Sequence, residues 1–386
     1  MGKMVEVSCP YCGSHQSFPA SEASEVDIKC TECGWRARVN GLSAGVPTMS
    51  VEDIRNRWAE ALSEDVTQDM TLREAGRGTG STSGVVLHEK RLGEDGQALD
   101  PPAEYELLEL LGTGGMGLVY SARQNSVNRV IALKMIKPEA CQDPARREKF
   151  LSEAAVTGEL DHPNIVPVHD LGTSEEGQLF YAMKEVRGTS WAEVMREKTE
   201  QENLEILMRV ADAVAFAHAK GIIHRDLKPS NVMLGEFGEV LVMDWGLAAS
   251  VCDGGKAECL SGKVQTAGTP AYMPPEMAAG DGDQVGCHSD QYLLGAILYQ
   301  IVTGQPPHSG DSTVDCLLNA SWNVIQETEK TGELLDIARK AMATSPAQRY
   351  GSVKEFQEAI RLYQRHMESV TLTQRAWDQL DRAEDG

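Results

Sequence analysis

IIHRDLKPSNVML, residues 222–234, follows directly on NLEILMRVADAVAFAHAKG, residues 203–221. In the earlier stretch Leu204, Leu207, Ala211, Val214 and Ala215 recur at helical spacing, and Gly221 supplies a stop. A helix therefore delivers the chain into a short loop carrying His224, Arg225, Asp226, Lys228 and Asn231. Upstream, LLGTGGMGLVY, residues 110–120, sets Gly112, Gly114, Gly115 and Gly117 between two strand-like runs. Glycines at a hairpin tip let backbone N–H groups approach phosphates that any Cβ would hold off, although a plain hairpin turn can be equally rich in glycine. No Gly-Lys-Ser/Thr follows, so this is not a P-loop, and Lys134 arrives on a later strand, VIALK. Asp143 and Pro144 read as the cap and first residue of a helix in which Glu153 sits near the middle. A lone helix glutamate is ordinarily solvated; its candidate role is a charge-assisted hydrogen bond to Lys134.

Further motifs follow in order: DWG at Asp244 to Gly246, GTPAYMPPE ending in Glu276, SDQYLLG with Asp290, and SPAQRY with Arg349. Over roughly residues 105–366 the chain resembles the eukaryotic-type protein kinase family, specifically its bacterial serine/threonine branch. HRDxxxxN matches as His224, Arg225, Asp226 and Asn231, and Lys228 two residues after the aspartate resembles the serine/threonine rather than the tyrosine subgroup. The resemblance implies an α+β, bilobal fold, with a β-rich N-lobe over 104–186 and a helical C-lobe over 187–366.

It also implies roles. Asp226 would orient the substrate hydroxyl and accept its proton, Lys228 would neutralise the transferring phosphoryl group, and Asn231 and Asp244 would hold Mg²⁺. Lys134, held by Glu153, would meet the α- and β-phosphates of ATP, with Gly112, Gly114, Gly115 and Gly117 above them and Leu111 also at the nucleotide. Adenine would stack between Val119 and Ala132 on one side and Met233 on the other, against Met183, with the Lys184 to Val186 backbone as hinge. Arg225 would pair with a phosphorylated residue of the activation segment, Thr266 foremost, then Ser261, while Thr269 more often hydrogen-bonds near the catalytic aspartate. Glu276 with Arg349, and Asp290, would be structural. A nucleotide-binding pseudokinase scaffold usually lacks one of Lys134, Glu153, Asp226, Asn231 and Asp244, and all five are present here. Trp245 in place of phenylalanine, Thr157 in place of a larger apolar residue and Pro275 depart from the family pattern.

Outside that region, Cys9-Pro-Tyr-Cys12-Gly13 and Cys30-Thr-Glu-Cys33-Gly34 form two chelating turns with the spacing of a Zn-S₄ site. Residues 1–40 therefore read as a zinc ribbon with a structural zinc and an unidentified partner; a redox pair or free thiols are the competing readings. Over 41–103 a short helix is expected from Ser50, with Ile54, Trp58 and Leu62 at four-residue steps and docked on a neighbour. Biased composition, GRGTGSTSG at 76–84 above all, then suggests a flexible linker between about Glu74 and Pro102. After the kinase-like region Val353, Phe356, Ile360, Tyr363, Met367, Val370 and Trp377 keep one apolar seam. A helix is thus expected to run to about Leu380 within a 367–386 extension, pairing with a second copy as a homodimer or docking on the N-terminal segment.

A net charge of -22 repels phosphate backbones, which excludes sequence-independent nucleic-acid binding and favours protein substrates that are basic, or the chain itself. No signal peptide or stretch of eighteen apolar residues is present, and the cysteine usage suits a reducing cytoplasm.

Overall fold

Lys134 lies on the strand Arg129–Ile136, the third of five antiparallel strands, and this strand organises the N-terminal half. It pairs on one side with Gly117–Gln124 and on the other with Leu179–Met183, setting Lys134 opposite both Val119 and Tyr181. Tyr105–Thr113 and Val168–Ser174 extend the sheet on either side. The computed structural model describes residues 4–9, 14–19, 26–32, 36–39, 51–58, 72–73, 88–90, 92–94, 103–115, 117–251 and 267–384.

The sheet is seven-stranded because His88–Lys90 and Leu92–Glu94 add to its two edges, each in parallel. This corrects the expectation of a flexible linker over that stretch. An edge strand is held by main-chain pairing and needs no apolar alternation, so composition does not announce it. Lys90 Nζ fixes one edge by lying 2.6 Å from Asp170 Oδ2, the oxygen that also accepts from the Tyr105 hydroxyl at 2.7 Å.

The helix Pro144–Glu159 packs beneath the sheet. Asp143 caps it by accepting from the Ala145 N–H at 2.9 Å, and Pro144 takes the first turn, where no N–H is needed. Phe150 and Ala154 join Val166, Leu179 and Tyr181 in one apolar cluster.

Beyond Met183 the chain is mainly helical. Glu200–Ala219 starts ahead of its apolar run because Thr199 and Glu202 form a reciprocal capping box, and Gly221 ends it at φ 73°. Cys287–Thr303 is the central helix, with Tyr292, Leu294, Ile297 and Leu298 all fully buried. It approaches Glu333–Ala341 so closely that a Cβ on Gly295 would lie 2.6 Å from the Ala341 methyl carbon. The Val353–Glu384 helix closes this core with Val353, Phe356 and Ile360. A β-sheet lobe followed by a helical lobe is the bilobal arrangement expected from the motifs.

Two parts of the flanking expectations fall on described residues. Ile54 and Trp58, at the helix Val51–Arg57, are buried against Met273, Met277, Ala278, Leu317 and Leu318, and Trp58 Nε1 donates to the Ala278 carbonyl at 3.1 Å. Two apolar side chains removed from water contribute about 1.5–3 kcal/mol each. Leu62 lies outside the described residues. At the other end the helix passes Leu380 to reach Glu384, but Met367, Val370 and Trp377 are 43–59 % exposed, so among the described residues they do not dock on the N-terminal segment. Among the described residues no helix is long and apolar enough to cross a membrane.

Glu276 and Arg349 form a buried bidentate pair at 2.7 and 2.8 Å. Ser289 donates to Glu276 Oε1, and Arg349 donates to the carbonyls of Ala343 and His288. Burial alone would raise the Glu276 pKa, yet Arg349 holds it below the ordinary carboxylate range. Removing one partner leaves a buried charge uncompensated, so Arg349→Met should lose about 3–5 kcal/mol of stability in denaturant titration, whereas breaking an exposed pair such as Arg365 with Glu358 should leave the denaturation midpoint almost unmoved.

Candidate active site

After Gly221 a two-residue strand, Ile222–Ile223, gives way at His224 to an irregular loop, and Arg225 adopts φ 69°, a conformation that strains a side chain bearing a Cβ. The buried carboxylate of Asp290 holds it there: Oδ2 accepts from the His224 N–H and Oδ1 from the Arg225 N–H, both at 2.8 Å. His218 Nε2 lies 2.8 Å from Oδ2. The Asp226 N–H donates to His224 Nδ1, which leaves Nε2 of that imidazole as the donor to the Met243 carbonyl at 3.2 Å. One carboxylate and one neutral imidazole thus fix three successive backbone amides.

Asp226 emerges with both oxygens engaged. Thr269 Oγ1 donates to Oδ1 at 2.7 Å and Asn231 Nδ2 donates to Oδ2 at 3.1 Å, while Lys228 Nζ lies 3.5 Å from Oδ2 and donates to Thr269 Oγ1 at 2.7 Å. Asn231 Nδ2 also reaches the Asp226 carbonyl at 2.8 Å, which turns its amide oxygen away from the aspartate. The residues come from two distant stretches, 226–231 and 269, and form a single buried cluster.

On the sheet side Lys134 Nζ is 2.5 Å from Glu153 Oε1, which also accepts from the Tyr181 hydroxyl at 2.9 Å. The second oxygen, Oε2, is buried with no hydrogen-bond partner among the described residues. It faces the Asp244–Gly246 turn so closely that a Cβ on Gly246 would lie 3.1 Å from it and 3.0 Å from Asp244 Oδ1. Asp244 itself has φ 52°. Tyr181 was not singled out in the sequence; the signal available was its place opposite Lys134 once the two strands are paired.

Val119, Ala132 and Met183 share one apolar cluster with Met243. Met233 lies on Val232–Gly235, paired with Leu241, and Met243 was a further omission, recoverable from its position just before Asp244. The Lys184 N–H donates to the Pro167 carbonyl and its ammonium lies 3.2 Å from Glu239, while Ser121 Oγ donates to Glu185 Oε2 at 2.5 Å, so the Lys184 to Val186 crossing is tied from both lobes. Leu111 is half-exposed at the sheet tip. Ser261 and Thr266 lie outside the described residues, as do Cys12 and Cys33. Arg225 donates through Nε to the Leu247 carbonyl at 2.6 Å, and although burial presses its pKa down to about 10 it remains cationic at neutral pH.

The protein kinase domain family model matches residues 105–361, which contain this whole constellation. The chain belongs to the protein kinase family. Among curated proteins it is similar to the serine/threonine-protein kinase PknB of Mycobacterium tuberculosis, 35 % identical over 266 residues, covering 65 % of this chain and 41 % of that protein. The serine/threonine-protein kinase PknD of Chlamydia muridarum is 34 % identical over 300 residues, covering 67 % of this chain and 31 % of its own length. The chain thus spans less than half the length of these relatives. Membership of the family implies ATP and Mg²⁺ as cofactors.

The three departures from the family pattern fit locally. Trp245 is buried with its ring centroid 4.6 Å from that of His224, though its Nε1 has no partner among the described residues. Thr157 satisfies its buried hydroxyl by donating to the Glu153 carbonyl one turn back, at 2.7 Å. Pro275 opens the short helix Pro275–Ala278.

The Asp290 pair makes stability depend on pH. Burial opposes charging His218, but hydrogen bonds to Asp290 and Cys287 outweigh it and raise the pKa from 6.5 to about 9. A raised pKa gives stability that is complete below the unfolded value and lost as pH rises through the folded one. The melting-temperature deficit of His218→Gln should therefore be constant below about pH 6 and shrink by a few degrees by about pH 9.5. A deficit that ignores pH would mean that the imidazole is neutral in the fold.

Proposed function

We propose that this chain is an active serine/threonine protein kinase that transfers the γ-phosphoryl group of Mg²⁺-ATP to protein hydroxyls. The observation that carries the reading is the buried Asp226 cluster, in which a carboxylate, an ammonium and an amide converge with a hydroxyl, Thr269, bound to Asp226 Oδ1.

The residues suit the cofactors. Among the described residues, Gly112 and Gly115 would meet no atom within 4 Å of an added Cβ, and neither has positive φ. Neither packing nor backbone conformation calls for glycine there, which leaves close approach of a ligand's phosphates as the reason. Asn231 and Asp244 offer hard oxygens, and Mg²⁺ is ordinarily held by one or two such groups with substrate phosphates completing the shell. Bound Mg²⁺-ATP would supply the electrophilic phosphorus and the metal charge that stabilises its oxygens.

The chain's own groups do the rest. Glu153 and Tyr181 aim the Lys134 ammonium at the phosphate position, Val119, Ala132, Met183 and Met233 flank the base, and Leu111 covers it. Asp226 takes the hydroxyl proton as the new O–P bond forms and the bond to the β-phosphate oxygen breaks, and Lys228 balances the charge on the moving group. Asp226→Asn should lower ³²P transfer to serine and threonine of a basic protein mixture by about 10²–10⁴-fold. Undiminished transfer would leave a pseudokinase scaffold as the better reading. Arg225 would receive a phosphate on Thr266 or Ser261, added by autophosphorylation, and Thr269 serves the catalytic cluster instead.

The flanks carry two further assignments. Cys9, Cys12, Cys30 and Cys33 hold one structural zinc. In support, the strands Met4–Ser8 and His15–Pro19 pair antiparallel, as do Val26–Lys29 and Arg36–Val39, a Cys-x-x-Cys lies in sequence between the strands of each pair, and Cys9 and Cys30 are both buried. Elemental analysis should return about one zinc per chain, and Cys30→Ser should release it. The exposed Met367, Val370 and Trp377 pair with a second copy, which would bring one activation segment to its neighbour's site. Sedimentation at micromolar concentrations should give a dimer that Val370→Glu with Trp377→Glu dissolves.

A further inference from the structure

Leu72–Arg73, far from the catalytic region in sequence, forms an antiparallel strand pair with Ala267–Gly268. Gly268 faces Leu72, and the next residue is Thr269, whose hydroxyl is bonded to Asp226. The N-terminal segment therefore covers the strand edge immediately beside the catalytic carboxylate. A second anchor lies upstream. Ile54 and Trp58 are buried against Met273, Met277 and Ala278, the residues that continue from Thr269, and against Leu317 and Leu318. Ile28, from the strand Val26–Lys29, joins the same cluster.

A protein substrate must bring a serine or threonine hydroxyl to Asp226 on an extended piece of backbone. The Ala267–Gly268 backbone directly precedes Thr269, which is bonded to Asp226, and a strand edge holds an extended peptide by main-chain hydrogen bonds. We propose that the strand Leu72–Arg73, tethered through the buried Ile54 and Trp58, occupies this protein-substrate edge, competes with substrate proteins and leaves the nucleotide site open. The inference rests on the kinase reading above. A two-residue strand is weak alone, and the tether supplies its local concentration while the buried Trp58 and Ile54 hold it in register. Gly268 has φ 134°, and a Cβ there would lie 3.0 Å from the Met273 Cε, so this edge is shaped by the packing that seats the segment.

The test uses the full chain with myelin basic protein as the basic acceptor and varies acceptor and ATP separately. Replacing Leu72 and Arg73 by proline removes two backbone donors without touching the catalytic domain. Its KM for the acceptor should fall by about fivefold, with the KM for ATP unchanged, because local concentration is what the pairing supplies. Trp58→Ala should do the same through the other anchor. If that variant misfolds, the double proline variant still decides. An active enzyme whose acceptor KM is the same with and without the prolines overturns the inference, as does an equal shift in the ATP KM. Absence of Asp226-dependent transfer in every variant overturns the kinase reading instead, and the inference with it.

Discussion

The carboxylate of Asp290 is the constraint on which the catalytic region rests. It is fully buried, accepts hydrogen bonds from two consecutive backbone amides and lies against His218. A loop whose second residue sits at positive φ stores strain, typically of order 1–3 kcal/mol, and persists only where its surroundings over-determine it. Here a charge is used for that purpose, because a buried anion with fewer donors would be costlier still. Asp226 follows two residues after the first amide so held. Its position is therefore set by the helical core, through the first turn of the Cys287–Thr303 helix.

Across the cleft the same logic recurs with fewer bonds. Glu153 commits one oxygen to Lys134 and Tyr181 and leaves the other facing the Asp244–Gly246 turn without a described partner. A buried carboxylate oxygen in that condition is destabilising unless a donor or a polar ligand arrives. The price is modest elsewhere in the fold, since the Lys134 ammonium already neutralises the charge.

The catalytic region was legible because its residues are short-range. HRDxxxxN places five functional groups within eight residues, and the capping of the Pro144–Glu159 helix follows from Asp143 and Pro144 alone. What sequence withheld is non-local. Tyr181 becomes visible only when its strand is laid against that of Lys134, and Met243 only when the nucleotide face is assembled. The strands at 88–94 carry no apolar alternation because they pair at sheet edges, so their composition resembles that of a linker. Ile54 and Trp58 announced a buried helix face but not its partner, since the receiving surface is built from residues more than two hundred positions away.

The Val353–Glu384 helix contains neither glycine nor proline, and its first turns are locked into the helical lobe by Val353, Phe356 and Ile360. The eighteen residues from 367 to 384 rise about 1.5 Å each, so the projecting half reaches about 27 Å from the lobe, close to the width of a small domain. A rod without a hinge behaves as a ruler: whatever is attached at its tip is held at a set distance and bearing from the cleft. Displacement of that tip would be transmitted as torque into the same helical core that carries Asp290.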